Sequence, residues 1–204
     1  MITVHSLRGV MIHKIKSLTT GHTNRNKDQQ CPLIRPLHKT DIPNIVSRYS
    51  FPWTTPEKTK TLWEIYYQEQ KDKVLTVAVI EKDDEILGYG SLLRKPECPF
   101  FAQKNIPEIN AIWIDENHRR KGLGTALINW LENLASQEGY SARGIGVGLY
   151  RDYGPAQQLY FQLGYIPEGN GITYKGQSTV PGQSYPLDND LILWLMKTLP
   201  KAPV

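Results

Sequence analysis

Cysteine is scarce in this chain. Cys31 and Cys98 are the only two among 204 residues, which excludes a fold stapled by several disulfides and fits a reduced, cytoplasmic protein. No Cys/His spacing resembles a zinc site, and no metal is expected. No apolar run approaches the roughly 18 residues that a membrane-crossing helix needs, so no membrane segment is expected. Acids are nearly missing at the start. Residues 1–30 hold Arg8, Lys14, Lys16, Arg25 and Lys27 against Asp28 alone, and this surplus equals the whole chain's net charge of +4. The remaining chain is therefore neutral, which argues against nucleic acid as the main partner.

What is present suffices for one globular domain. Hydrophobic residues make up 40% and aromatics 10%, enough apolar surface for a core. Residues 1–30 show no sustained period and read as a flexible basic extension, with an acid-poor targeting arm as the sharper reading. Residues 31–36 read as a short strand. Thr40-Asp41-Ile42-Pro43 reads as a helix start. A second helix begins near Pro56 and puts Leu62, Ile65 and Tyr66 on one face up to Lys73. Val74 to Ile80 and Ile86 to Leu93 read as the arms of a hairpin about a polar turn. Pro96, Pro99 and Pro107 make residues 94–107 read as a long loop.

Ile109 to Ile114 reads as a strand. After Gly122-Leu123-Gly124 comes a helix whose apolar face is Leu123, Ala126, Leu127, Trp130, Leu131 and Leu134, ending at Glu138-Gly139. Ile145 to Tyr150 is expected as a strand, Ala156 to Leu163 as a helix, and Leu191 to Met196 as a closing strand. Antiparallel hairpins followed by strand–helix alternation indicate a mixed α/β or α+β, three-layer domain.

The segment Ile112-Trp-Ile-Asp-Glu-Asn-His-Arg-Arg-Lys-Gly-Leu-Gly-Thr125 carries the most information. A strand gives way to a basic, glycine-containing loop and then at once to a helix. The glycines admit unusual dihedrals and close ligand approach. Free amides of the first helical turn, with the helix dipole, suit phosphate. Arg119, Arg120 and Lys121 add positive charge. The segment lacks the Gly-Lys-Ser/Thr of an ATP-binding P-loop and the three glycines of a dinucleotide fingerprint. A solvated basic turn capping an ordinary helix is the plainer alternative.

Arg119-Arg-Lys-Gly122-Leu-Gly124 resembles the Arg/Gln-x-x-Gly-x-Gly/Ala motif of the GNAT-fold N-acetyltransferases. About 30 residues on, Ala156-Gln-Gln-Leu159-Tyr160-Phe-Gln-Leu-Gly164-Tyr165 is similar to that family's Ala-x-x-Leu-Tyr-x-x-x-Gly-Phe/Tyr block. The resemblance covers residues 31–199 as one acetyltransferase domain, leaving 200–204 as a short tail. It implies a mostly antiparallel, splayed central sheet flanked by helices. It also implies acetyl transfer from acetyl-coenzyme A (acetyl-CoA) to a primary amine by direct attack in a ternary complex.

The resemblance further implies that the diphosphate lies on the loop Arg119, Arg120, Lys121, Gly122, Leu123, Gly124 and Thr125. The pantetheine arm would pair with Trp113 and Ile114, entering where that strand diverges from the next. Tyr160 corresponds to the family tyrosine that protonates the departing thiolate. Glu108 is the first candidate base, with Asp115 and His118 behind it. Where the family usually has Asn, three residues before Ala156, this chain has Tyr153, which is assigned to the acceptor pocket with Trp53. Tyr49, Phe51, Trp63 and Pro99 to Phe101 are further candidate walls, or core. A small-molecule acceptor is the first reading. A protein or peptide acceptor, or a non-catalytic CoA-binding regulator, are the alternatives. A homodimer is compatible with the resemblance.

Overall fold

In the computed structural model the described residues are 16–17, 31–50 and 55–198. Trp53, Phe51 and the 200–204 tail lie outside them, as does all of the 1–30 extension except Lys16–Ser17. The elements are β1 (Lys16–Ser17), β2 (Leu33–Pro36), α1 (Ile42–Arg48), β3 (Tyr49–Ser50) and α2 (Pro56–Lys71). There follow β4 (Leu75–Lys82), β5 (Glu85–Leu93), α3 (Pro99–Lys104), β6 (Glu108–Ile114) and α4 (Leu123–Gln137). The chain closes with β7 (Ala142–Gly148), α5 (Gly154–Gln162), β8 (Ile166–Tyr174), β9 (Gln177–Ser178) and β10 (Leu191–Thr198). Strand order in the main sheet is β2-β4-β5-β6-β7-β10-β8-β9. Pairing is antiparallel for β2/β4, β7/β10, β8/β10 and β8/β9, and parallel for β6/β7. This is the expected mixed fold: an open, mostly antiparallel sheet flanked by helices.

The described residues divide into two compact units. One holds residues 16–17, 31–50, 55–91 and 111–130; the other holds 92–110 and 131–198. In the first, Thr55 starts α2 by accepting from the Lys58 amide at 3.3 Å, with Pro56 in the first turn. The hairpin between β4 and β5 turns on Asp83 and Asp84, both left-handed (φ 52° and 63°). Two positive φ values in a two-residue loop match the twist of the flanking strands, and Asp tolerates that region. Arg35 on β2 binds Asp41 through both terminal nitrogens (2.7 and 2.8 Å) and Glu81 at 2.6 Å, which ties β2 to β4 and to the start of α1.

The core of this unit is a column of aromatic rings. Tyr49 meets Trp113 edge-on at 4.6 Å, Trp113 stacks on Tyr89 at 5.3 Å, and Tyr89 meets Trp63 at 5.0 Å. Such geometries add roughly 0.5–1.5 kcal/mol per pair beyond burial itself. Tyr49 and Trp63 are buried here, with the Tyr49 hydroxyl donating to the Ile86 carbonyl. They are core, not exposed acceptor walls.

In the second unit one face of β7 carries, beyond Ala142, only glycines. A Cβ placed at Gly144 would stand 2.1 Å from the Phe101 ring, one at Gly146 2.7 Å from Trp194, and one at Gly148 2.3 Å from Tyr153. These rings occupy the room that the glycines leave. The opposite face presents Arg143, fully buried, which donates to the Glu132 carbonyl and the Ser136 hydroxyl on α4. Glu132 in turn pairs with Lys197 of β10 at 2.8 Å.

Three expectations are corrected. Residues 94–107 contain α3, because Pro99 sits in a first turn where it costs no hydrogen bond. The strand expected over 145–150 is β7 at 142–148. β8 was not anticipated: it is largely exposed and carries Pro167, Gly169 and Gly171, so neither strand alternation nor an apolar run marks it.

Substituting Gly144→Ala is expected to cost about 3 kcal/mol in chemical denaturation, because the new methyl must displace the Phe101 ring. Adding Phe101→Leu should recover part of that loss, and equal destabilisation with and without it would contradict the contact.

Candidate functional site

The loop between β6 and α4 lies within the first unit. Arg120 and Gly122 have left-handed φ values of 61° and 78°, and Arg119 between them and the strand is extended. Alternating φ signs point successive amides into one concavity, an arrangement that receives anions. The Ala126 amide is the first of the helix to find a partner, the Gly122 carbonyl at 3.0 Å. Among the described residues no chain acceptor is found for the amides of Arg120 through Thr125. With the partial positive charge of a 15-residue helix behind them, these amides suit a diphosphate.

The loop stands on side chains that point back to its own base. Asp115 is 1% exposed. Its amide donates to Leu87 at 2.9 Å, and its carboxylate takes the Asn117 amide at 3.0 Å and His118 Nδ1 at 2.9 Å. Arg119 Nε donates to the Ile114 carbonyl at 3.0 Å, and Lys121 Nζ to the Asn117 carbonyl at 3.0 Å. Arg119 and Lys121 thus brace the loop while keeping their charge beside it, and Arg120 is exposed. Asp115 and His118, the secondary base candidates, pair with each other beneath this loop.

β6 supplies the strand before the loop. Trp113 turns its ring into the aromatic column, and its carbonyl approaches β5 so closely that a Cβ at Gly88 would lie 2.7 Å away. The parallel ladder to β7 comprises Glu108↔Gly144 and Ile109↔Ile145. Ala111, two residues later, is left-handed (φ 54°), which turns the strand out of regular pairing and costs a non-glycine residue about 1–2 kcal/mol. Nothing in the sequence announces it.

The second unit holds Glu108, Tyr153 and Tyr160. Glu108 is 2% exposed and its carboxylate accepts from the Glu97 amide at 2.9 Å and from Asn110 Nδ2 at 2.8 Å. Tyr160 lies on α5, mostly buried, and burial pushes its phenol well above the ordinary value. Among the described residues no hydrogen bond to its hydroxyl is found. Tyr153 caps α5 with its ring on Gly148 and its hydroxyl 3.0 Å from Asn189 Oδ1. Gln157 Nε2 donates to the Gly148 carbonyl at 2.8 Å. Sequence reasoning missed Asn110, Gln157 and Asn189. A polar residue one turn before Tyr160 is a faint signal for Gln157; Asn189 has none, because its partner is 36 residues away.

No helix among the described residues is long and apolar enough to cross a membrane, and they contain no group of three or more His, Cys, Asp or Glu able to hold a metal ion. A family model described as "Acetyltransferase (GNAT) family" matches residues 42–165. No curated protein matches the sequence. Among solved structures the chain is similar to an N-acetyltransferase from Staphylococcus aureus Mu50 (18% identity, 83% of this chain and 99% of that one, TM-score 0.60). It is also similar to a chimeric spermidine N-acetyltransferase from Vibrio cholerae (17%, 82% and 95%, TM-score 0.58). A third is a ribosomal L7/L12 α-N-protein acetyltransferase in complex with coenzyme A (13%, 81% and 93%, TM-score 0.59). At these identities the likeness is one of fold.

Gly122→Ala is expected to lower stability by about 1 kcal/mol through its φ alone, since open space surrounds the position. A urea titration giving no loss would contradict the left-handed conformation.

Proposed function

Because the chain belongs to the acetyltransferase (GNAT) family and is an N-acetyltransferase, we propose that it moves acetyl from acetyl-CoA to the primary amine of a small molecule. The observation that carries the cofactor half is the set of amides from Arg120 to Thr125, for which no acceptor is found among the described residues. They would hold the diphosphate, with Arg119, Arg120 and Lys121 supplying positive charge around it. Trp113 and Ile114 would offer backbone groups to the pantetheine arm.

Acetyl-CoA supplies a thioester whose carbonyl carbon is open to attack by a neutral amine. Glu108 is the base in this reading: its carboxylate is fixed by Glu97 and Asn110 and takes the amine's proton directly or through a water. Tyr160 gives its proton to the departing sulfur. Its raised affinity for that proton keeps it in the acid form at neutral pH, the form the role requires. Tyr153 belongs to the acceptor side of α5. The structural relatives include both a spermidine enzyme and a ribosomal-protein enzyme, so an amine panel decides between the two acceptor classes.

Release of free thiol from acetyl-CoA, measured against a panel of small amines and of peptide N-termini, tests this reading. Turnover with small amines is expected. Turnover with peptides alone would replace the acceptor class, and binding without turnover would make the chain a CoA-dependent regulator. Tyr160→Phe should lower kcat about 100-fold with acetyl-CoA affinity kept. In the unaltered chain a raised phenol keeps its proton as pH climbs, so kcat should show no alkaline fall up to about pH 10. A fall centred near the ordinary tyrosine value would remove Tyr160 from the acid role.

A further inference from the structure

The hydroxyls of Tyr150 and Tyr153 converge on a single oxygen. Both donate to Asn189 Oδ1, and their rings meet edge-on at 4.8 Å. One amide oxygen has two lone pairs, so it can satisfy two phenols at once. Asn189 is itself firmly presented. The turn before β10 is held by the Asp188 carboxylate, which accepts from the Tyr174 hydroxyl at 3.1 Å and the Asp190 amide at 3.0 Å. The Lys175 amide reaches the Asp190 carbonyl at 3.1 Å.

The two tyrosines flank the short turn that launches α5. Tyr153 is the cap residue of that helix, its ring pressed on Gly148. Gln157, one turn on, donates to the carbonyl of the same Gly148. Another turn further stands Tyr160, whose own hydroxyl is not anchored by any bond among the described residues. α5 has only nine residues, so its direction depends on how its first turn is fastened. The fastening consists of the ring on Gly148, the Gln157 bond and the double acceptor at Asn189.

We propose that Asn189 is a positioning residue of the transfer reaction, holding Tyr153 and the start of α5 so that the Tyr160 hydroxyl meets the sulfur it protonates. The inference rests on the acetyltransferase reading above and assigns to it a residue outside both sequence motifs. The asparagine is required as an acceptor. Aspartate preserves both lone pairs, whereas leucine keeps the volume and removes them. Displacement of a reacting group by about 1 Å is worth up to 100-fold in rate, while the thioester-carrying molecule, held elsewhere, should bind as before.

The test uses the full chain. Steady-state thiol release with acetyl-CoA and the best amine of the panel is measured for Asn189→Leu, Asn189→Asp and Tyr153→Phe, with active sites counted by calorimetric titration of acetyl-CoA. Asn189→Leu should lower kcat at least tenfold with KM for acetyl-CoA within about twofold. Asn189→Asp should return most of kcat, and Tyr153→Phe should fall between. A merely structural asparagine would lower the folded fraction and melting temperature but leave kcat per counted site unchanged. Undiminished kcat in folded Asn189→Leu, or no rescue by aspartate, overturns the inference. Absence of turnover in the unaltered chain overturns the transferase reading and this inference with it.

Discussion

A helix cannot bond its own first amides, and at the start of α4 that shortfall falls beside a basic loop. Among the described residues the amides from Arg120 to Thr125 find no chain acceptor. Their convergence depends on two left-handed residues, Arg120 and Gly122. It depends equally on Asp115, buried beneath the loop and spent on Asn117 and His118. Arg119 and Lys121 secure the same short segment by bonding carbonyls at its base. Three cations in so small a loop repel each other, and a diphosphate bound there would relieve that repulsion while satisfying the amides. In the proposed reaction these amides would decide where the thioester is delivered.

The proposed acid, Tyr160, is set by packing within its own unit. Gly144, Gly146 and Gly148 leave one face of β7 without side chains beyond Ala142, and Phe101, Trp194 and Tyr153 occupy the space. Because Gly148 has no side chain, Tyr153 can lie flat on the strand end and fasten α5. Burial of Tyr160 then keeps its proton in place. Gly148, Tyr150, Tyr153 and Asn189 are thus joined in space, although they are spread from 148 to 189 in sequence.

Much of this is legible in the sequence where local physics decides the outcome. The stripe from Leu123 to Leu134 can only be a helix face, and the basic glycine loop before it can only be that helix's start. The paired aspartates at 83 and 84 mark a hairpin because few residues tolerate their φ values. Legibility fails where tertiary contacts decide. β7 hides its beginning because Arg143 is buried by bonds to α4 that no local pattern reveals. β8 is held by its pairing with β10 and β9, so its own exposed, glycine-interrupted sequence looks like a loop. Ala111 adopts a costly φ that only the surrounding strands impose, and Asn189 becomes significant only once Tyr150 and Tyr153 reach it.

The central claim is that amides at the start of α4 grip a diphosphate, and calorimetric titration of coenzyme A into the full chain tests it most directly. The account predicts one molar equivalent bound, an affinity that weakens as salt screens the loop's charge, and loss of binding when Gly124→Asp sets a carboxylate among those amides. Coenzyme A that gives no heat of binding, or that binds the Gly124→Asp chain as tightly as the unaltered one, would contradict it.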